Sequence, residues 1–259
     1  MKLRIYITLL VFLSCVSALA QDDDSLYTPA RVPADSVTVE TVPTEEIAPA
    51  KPPKTFMIGF WGGGSYRTNR PDPQLSEKEK DFYSAMRWGY DYGADAVCFF
   101  RDWGLGLRYS CFRSYHNGNV DFKTAGGSMQ SGMMDGYSKI WFLGPVVALR
   151  DTYGEKGNSL YSIYGIGYMG FRMDEEIPYY VPIASTAGTV GYFMEVGTDF
   201  RLTDNAYFSV ALSYYQGRVH SYTVENNGVK EKVKVDDKKG EGLDYLALNF
   251  GLHWYLEMK

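Results

Sequence analysis

Leu246-Ala247-Leu248-Asn249-Phe250-Gly251-Leu252-His253-Trp254-Tyr255-Leu256 alternates without a break. Leu246, Leu248, Phe250, Leu252, Trp254 and Leu256 fall on one face of an extended chain, and Ala247, Asn249, Gly251, His253 and Tyr255 on the other, because successive side chains of a strand point to opposite sides. The same period recurs upstream. Phe208, Val210, Leu212 and Tyr214 oppose Ser209, Ala211, Ser213 and Tyr215; Tyr192, Met194, Val196, Phe200 and Leu202 oppose Gly191, Glu195, Gly197, Asp199 and Arg201. Trp88, Tyr90, Tyr92, Ala94 and Ala96 oppose Arg87, Gly89, Asp91, Gly93 and Asp95, and Leu105, Leu107 and Tyr109 oppose Gly104, Gly106, Arg108 and Ser110.

Eight such segments are expected, near 55–66, 84–99, 103–116, 138–150, 159–173, 188–202, 206–224 and 243–257. Two are less clean: Pro145 interrupts the fourth, and Ile163 to Phe171 in the fifth is apolar on both faces. Most exceed the mean soluble strand of about 5–6 residues and match the roughly 9–11 residues with which a tilted strand crosses a bilayer. A solvated face normally carries long charged side chains. Here the less greasy face is small (Gly, Ala, Ser) with charges of both signs, which suits a crowded lumen, and the Leu/Phe/Tyr/Trp face suits lipid. Connections after the second, fourth and sixth segments are short (Phe100–Asp102, Asp151–Asn158, Thr203–Asn205); the others are long (Arg67–Tyr83, Asn117–Tyr137, Asp174–Ala187, Glu225–Gly242). Short periplasmic turns and long outer loops sort in this way in outer-membrane barrels. The expected fold is all-β, an eight-stranded antiparallel up-and-down transmembrane β-barrel over 55–259, located in the bacterial outer membrane with lipid as its surrounding partner. A soluble sandwich or lipocalin-like binder would need the Leu/Trp face turned inward.

The N-terminal region fits that address. Lys2 and Arg4 precede an apolar run from Ile5 that ends Ala18-Leu19-Ala20 before Gln21, so residues 1–20 read as a secretory signal peptide. Phe12-Leu13-Ser14-Cys15 is a weaker lipidation signal. Residues 21–54 hold 6 of the 11 prolines, three bases and seven acids, a composition that builds no core. They read as a disordered acidic periplasmic tail, a spacer or a docking peptide for an envelope partner anchored by Leu26-Tyr27. A net charge of −5 argues against nucleic acid as a partner, and 3 Cys with 3 His are too few for the usual multi-ligand metal cluster.

Phe142-Leu143-Gly144-Pro145, Tyr164-Gly165-Ile166-Gly167-Tyr168-Met169-Gly170-Phe171, Val196-Gly197-Thr198-Asp199-Phe200-Arg201-Leu202-Thr203-Asp204-Asn205 and Asn249-Phe250-Gly251-Leu252 resemble small outer-membrane β-barrel proteins of the Bacteroidetes type. The resemblance covers 55–259. It implies the barrel and its membrane and no enzyme, and brings no known ligand; no cofactor is expected. Such barrels often end on an aromatic residue, whereas this chain ends Leu256-Glu257-Met258-Lys259.

The candidate site is the set of inward charges Arg87, Asp91, Asp95, Arg108, Glu195, Asp199 and Arg201. A hairpin turn at Arg101-Asp102 pairs residues whose numbers sum to about 203, which sets Arg108 against Asp95 and keeps Cys98 (opposite Leu105) apart from Cys111 (opposite Tyr92). Buried charges need partners, so a salt-bridged plug is expected rather than a pore; eight strands leave a lumen that side chains fill. Both cysteines are expected to face lipid without a disulfide, and His253 to hydrogen-bond in the lumen. His116 and His220 sit at the outer rim with Ser114, Ser221 and Glu225 nearby in sequence, but no spacing selects a triad. Asn226-Asn227-Gly228 is a hairpin signal and the alternation Val229 to Val235 extends the wall above the membrane. Met129, Met133 and Met134 read as a flexible loop before a soft-metal site, and Asp174-Glu175-Glu176 with Tyr179-Tyr180 as a candidate for a cation or protein. The expected function is a non-enzymatic structural or surface-interaction role through four long loops; the rivals are a lipid-modifying enzyme using His116 or His220, and a narrow small-solute channel.

Overall fold

The computed structural model describes residues 54–123, 127–154, 157–177, 182–235 and 240–258. The signal segment, the tail up to residue 53, Tyr179 and Tyr180 lie outside them.

Eight long strands close into a ring: β1 (Lys54–Arg67), β2 (Trp88–Phe99), β3 (Trp103–Lys123), β4 (Met129–Tyr153), β5 (Asn158–Glu176), β6 (Ile183–Arg201), β7 (Ala206–Val219) and, after β8 (Ser221–Asn226), β9 (Val229–Lys234) and β10 (Glu241–Gly242), the closing strand β11 (Tyr245–Met258). Each neighbour pair is antiparallel, and β11 joins β7 to β1. Closure removes the free edges that a sheet exposes. The β2–β3 register is the expected one, with Asp95 opposite Arg108, Cys98 opposite Leu105 and Cys111 opposite Tyr92. Pro145, which has no N–H for a ladder, falls where the β4–β5 pairing lapses between Leu143↔Tyr168 and Val146↔Gly165.

The outer face is greasy. Leu107 (58 %), Phe250 (49 %) and Leu143 (50 %) stand open well inside their strands, as they do with hydrocarbon and not another sheet for a neighbour. The interior is more aromatic than the sequence pattern implies. Phe142, Phe193, Tyr215 and Tyr245 are buried there, with Tyr215 stacked on Tyr245 at 4.5 Å between ring centroids. Part of this filling comes from β4 and β5, where both faces are apolar.

Three boundaries differ from expectation. The first long loop contains α1 (Glu77–Ala85), so β2 begins at Trp88 and not near 84. Ser76 and Glu79 cap α1 reciprocally, Ser76 Oγ accepting from the Glu79 N–H and Glu79 Oε2 from the Ser76 N–H; this capping box is a start signal. The second long loop is mostly ladder: β3 and β4 stay paired up to Lys123↔Met129. The seventh segment breaks at His220. β7 pairs β6 through Gly191↔Gly217, but β8 pairs it through Thr186↔Thr223, one residue out of register, which is a bulge. Beyond it β8 and β9 form the hairpin that Asn226-Asn227-Gly228 signals, with positive φ at Asn227 and Gly228.

Candidate functional site

Arg108 on β3 lies at the centre of the lumen, fully buried. Its Nη1 donates to Asp95 Oδ2 (3.0 Å) on the adjacent strand and to Glu195 Oε1 (3.1 Å) across the lumen on β6; Nη2 donates to Glu195 Oε2 (2.6 Å) and Nε to the Tyr215 hydroxyl (3.0 Å). The bidentate grip on Glu195 is the strong geometry for a guanidinium. Trp61 and Phe193 cover it at 4.3 and 4.0 Å from their ring centroids. The acids are held in turn: the Trp61 indole N–H donates to Asp95 (3.2 Å), and the Ser213 hydroxyl donates to Glu195 (2.6 Å) while accepting from Asn249 (2.9 Å). Asp91 faces the same interior in the field of Arg108, with both carboxylate oxygens buried and outside the hydrogen-bonded cluster.

Asp199 faces inward but belongs to a second cluster near the short-turn end. Its carboxylate lies 2.9 Å from His253 Nδ1 and accepts from the Tyr255 hydroxyl at 2.6 Å. Arg87 and Arg201 are corrections. Arg87 sits on the outer rim, donating to the Arg67 and Thr68 carbonyls (2.9 and 3.2 Å) with its guanidinium over Tyr66. Arg201 is exposed at the β6–β7 turn and pairs with Asp204 at 2.6 Å. Both have inward parity but lie at strand ends, where a long side chain escapes to water and avoids desolvation. Cys98 and Cys111 are free thiols. Cys111 points outward but is fully buried against Tyr92 and Tyr109, not open to lipid.

Sequence reasoning finds Arg108–Asp95 and misses Trp61, Ser213, Tyr215 and Asn249 as supports. Gly93 marks one of them: a Cβ there would run into the Tyr109 carbonyl and the Trp61 indole. Gly93→Ala is expected to push Trp61 off the guanidinium at a cost of about 1–3 kcal/mol, read as a shifted tryptophan emission and a lower denaturant midpoint in detergent.

Above the apolar belt, α1 caps one side of the barrel mouth. Phe82, Met86, Val120 and Met134 form a small separate core beneath it, so Met134 is structural. His116 packs against Phe82 at 5.3 Å, and His220 lies beside Gly240. The Tyr83 hydroxyl donates to Glu175 Oε1 at 2.6 Å, on the edge of a cavity of about 390 Å³ lined by Val120, Phe122, Met134 and Ile177.

Burial raises the Glu175 carboxyl above the ordinary carboxylate range; the Tyr83 bond opposes this and nearby Glu79 adds to it. An acid whose folded pKa is raised holds its proton more tightly when folded, so cap stability is greatest at low pH and falls as pH rises through the folded pKa. Hydrogen exchange of α1 amides, corrected for intrinsic rates, is expected to speed up as the pH rises above the ordinary carboxylate range. Glu175→Gln should flatten that dependence.

A closed ring of eight long antiparallel strands, greasy outside and filled within, is the fold of an outer-membrane β-barrel. A major outer membrane protein from Thermus thermophilus is similar in structure, with a TM-score of 0.51 at 13 % identity over 78 % of this chain and 99 % of that one. Neisserial surface protein A (TM-score 0.40, 11 % identity, 78 % and 96 %) and the outer membrane protease OmpT of Escherichia coli (0.43, 11 %, 80 % and 97 %) are similar at lower scores. No protein-family model matches the chain, and no curated protein sequence does.

Proposed function

We propose that this chain is a small non-enzymatic outer-membrane barrel, of the kind found in Bacteroidetes, whose work is done at the surface by its outer extensions. Lipid surrounds its wall, and residues 21–54 reach an envelope partner in the periplasm. The observation that carries this reading is the Arg108 cluster. A guanidinium held by Asp95, Glu195 and Tyr215 and covered by two rings fills the cross-section where a solute would pass. What is left to present is the outer end, where β3 and β4 run past the belt, α1 packs on them and the β8–β9 hairpin stands beside β6. The lipid-modifying alternative, through His116 or His220, has less support: His116 packs on Phe82 and His220 lies beside Gly240.

Planar-bilayer recordings of the purified chain are the test. No discrete conductance is expected, alongside heat-modifiable gel mobility and recovery in the outer-membrane fraction. Stepwise currents would revive the channel, and an altered lipid profile in a deletion strain the enzyme.

A further inference from the structure

Three cations stand in one row on the outer wall. Register sets Arg113 of β3 directly opposite Lys139 of β4, and Lys139 directly opposite Arg172 of β5. All three have outward parity, since Phe112, Ile140 and Phe171 beside them are buried inward. Neighbouring strands lie only about 4.8 Å apart, and like charges directly opposite each other destabilise a sheet. Among the described residues, two acids act on the row, both at its Arg172 end: Asp174, 2.8 Å from Arg172 Nε, and Glu225 at longer range. Arg113 lies 5.7 Å from the Tyr92 ring and beside the Cys111 thiol. Asp135, two residues from Tyr137 on β4, is already engaged by Tyr115 and Asn117 at 2.8 Å each. The positive charge the row carries beyond these acids therefore lies at Arg113 and Lys139.

What lies below the row says where that charge sits. The next two tiers towards the bilayer centre carry aromatics, first Tyr92 and Trp141 and then Tyr109 and Tyr168 on either side of Leu143, with the Trp141 and Tyr168 rings 5.0 Å apart. Gly170 and Gly188 let those rings lie against the wall, because a Cβ at either would meet the Trp141 indole or the Tyr168 hydroxyl. Below come Leu107 and Ile166, both exposed. Cation, aromatic, aliphatic is the sequence of layers from lipid headgroup to acyl chain. On the flanking strands the row continues as Tyr90 and Thr186, so the charge is confined to one patch and does not girdle the barrel.

We propose that Arg113, Lys139 and Arg172 form a binding row for the phosphate of an outer-leaflet lipid headgroup, with Trp141 and Tyr168 as the shelf for the start of its chains. An anion bridging adjacent strands turns a repulsive row into a clamp. The proposal rests on the outer-membrane placement above.

The test uses the full chain in phosphatidylcholine nanodiscs, with short-chain phosphatidate or phosphatidylcholine of equal chain length added and counted by native mass spectrometry. Phosphatidate is expected to be retained and phosphatidylcholine not. The triple variant R113Q/K139Q/R172Q is expected to bind phosphatidate roughly a hundredfold more weakly, about one kcal/mol for each charge lost at a membrane surface. R113K/R172K, which keeps the charge, should retain most of the binding and reports on any folding defect in the triple variant. K232Q/K234Q, on the exposed β9, should leave retention unchanged. Equal retention by the triple variant overturns the site. Displacement of the lipid by equimolar inorganic phosphate overturns its assignment to a headgroup. A chain that does not enter the discs removes the membrane placement and this site with it, an outcome distinct from entry without phosphatidate selectivity.

Discussion

Arg108→Met destabilises the folded barrel by about 3–5 kcal/mol, enough to abolish the heat-modifiable gel band or move the denaturant midpoint by most of its range. Removing one partner and replacing all of them have very different costs. In the native lumen the guanidinium donates to Asp95, Glu195 and Tyr215 with no exposure to water. Taking it out leaves Asp95 and Glu195 facing each other in a dry interior, with Asp91 beside them and, among the described residues, Trp61 and Ser213 as their remaining side-chain donors. That cost is the penalty of the stranded acids and not the worth of the bridge. Arg108→Met with Asp95→Asn and Glu195→Gln should therefore recover most of the stability, because a buried ion pair is often no better than a neutral replacement of similar volume. If the triple variant is as unstable as the single one, the packing of the guanidinium between Trp61 and Phe193 matters more than its charge. The same triple variant tests the plug, since with the Arg108 ion pairs gone but most of the volume kept, bilayer recordings should still show no current.

How far the sequence reaches is visible in this one cluster. The period of two in Leu246–Leu256 assigns each side chain to a face, and a short turn at Arg101-Asp102 fixes register, so Arg108 against Asp95 follows from counting. Glu195 does not follow. β6 touches β3 only through the lumen, and strand periodicity carries no information about which inward residues share a height on opposite walls. Arg87 and Arg201 show the converse error. Parity alone puts them inside, but parity says nothing about where the wall ends, and both are at a rim where the side chain finds carbonyls or Asp204. The aromatic filling from β4 and β5 stays hidden because residues such as Phe142 and Ile163 sit in runs apolar on both faces, where alternation is mute. The helix α1 is legible in principle: Ser76 followed by Glu79 is a capping box, but it lies in a segment whose length alone marks it as loop.

Phe250→Arg is the second large effect, and it bears on which way the wall faces. Phe250 lies near the middle of the outer run of β11 and is 49 % exposed beside Phe208, its ring stacked at 6.5 Å. If hydrocarbon is its solvent, a charge there costs about 2–4 kcal/mol, falling to roughly 0–1 near an interface. Leu256, near the short-turn end and followed by Glu257, is exposed to a similar degree, 46 %. Leu256→Arg should therefore cost far less than Phe250→Arg in the same lipid, measured as denaturant unfolding from vesicles. Exposure alone cannot produce that gradient. A water-facing strand would accept both arginines within about 0.5 kcal/mol, so two equally mild variants would mean that this face is wetted, and the membrane placement would fall with it. A steep difference between two equally exposed positions has only depth in the bilayer to explain it.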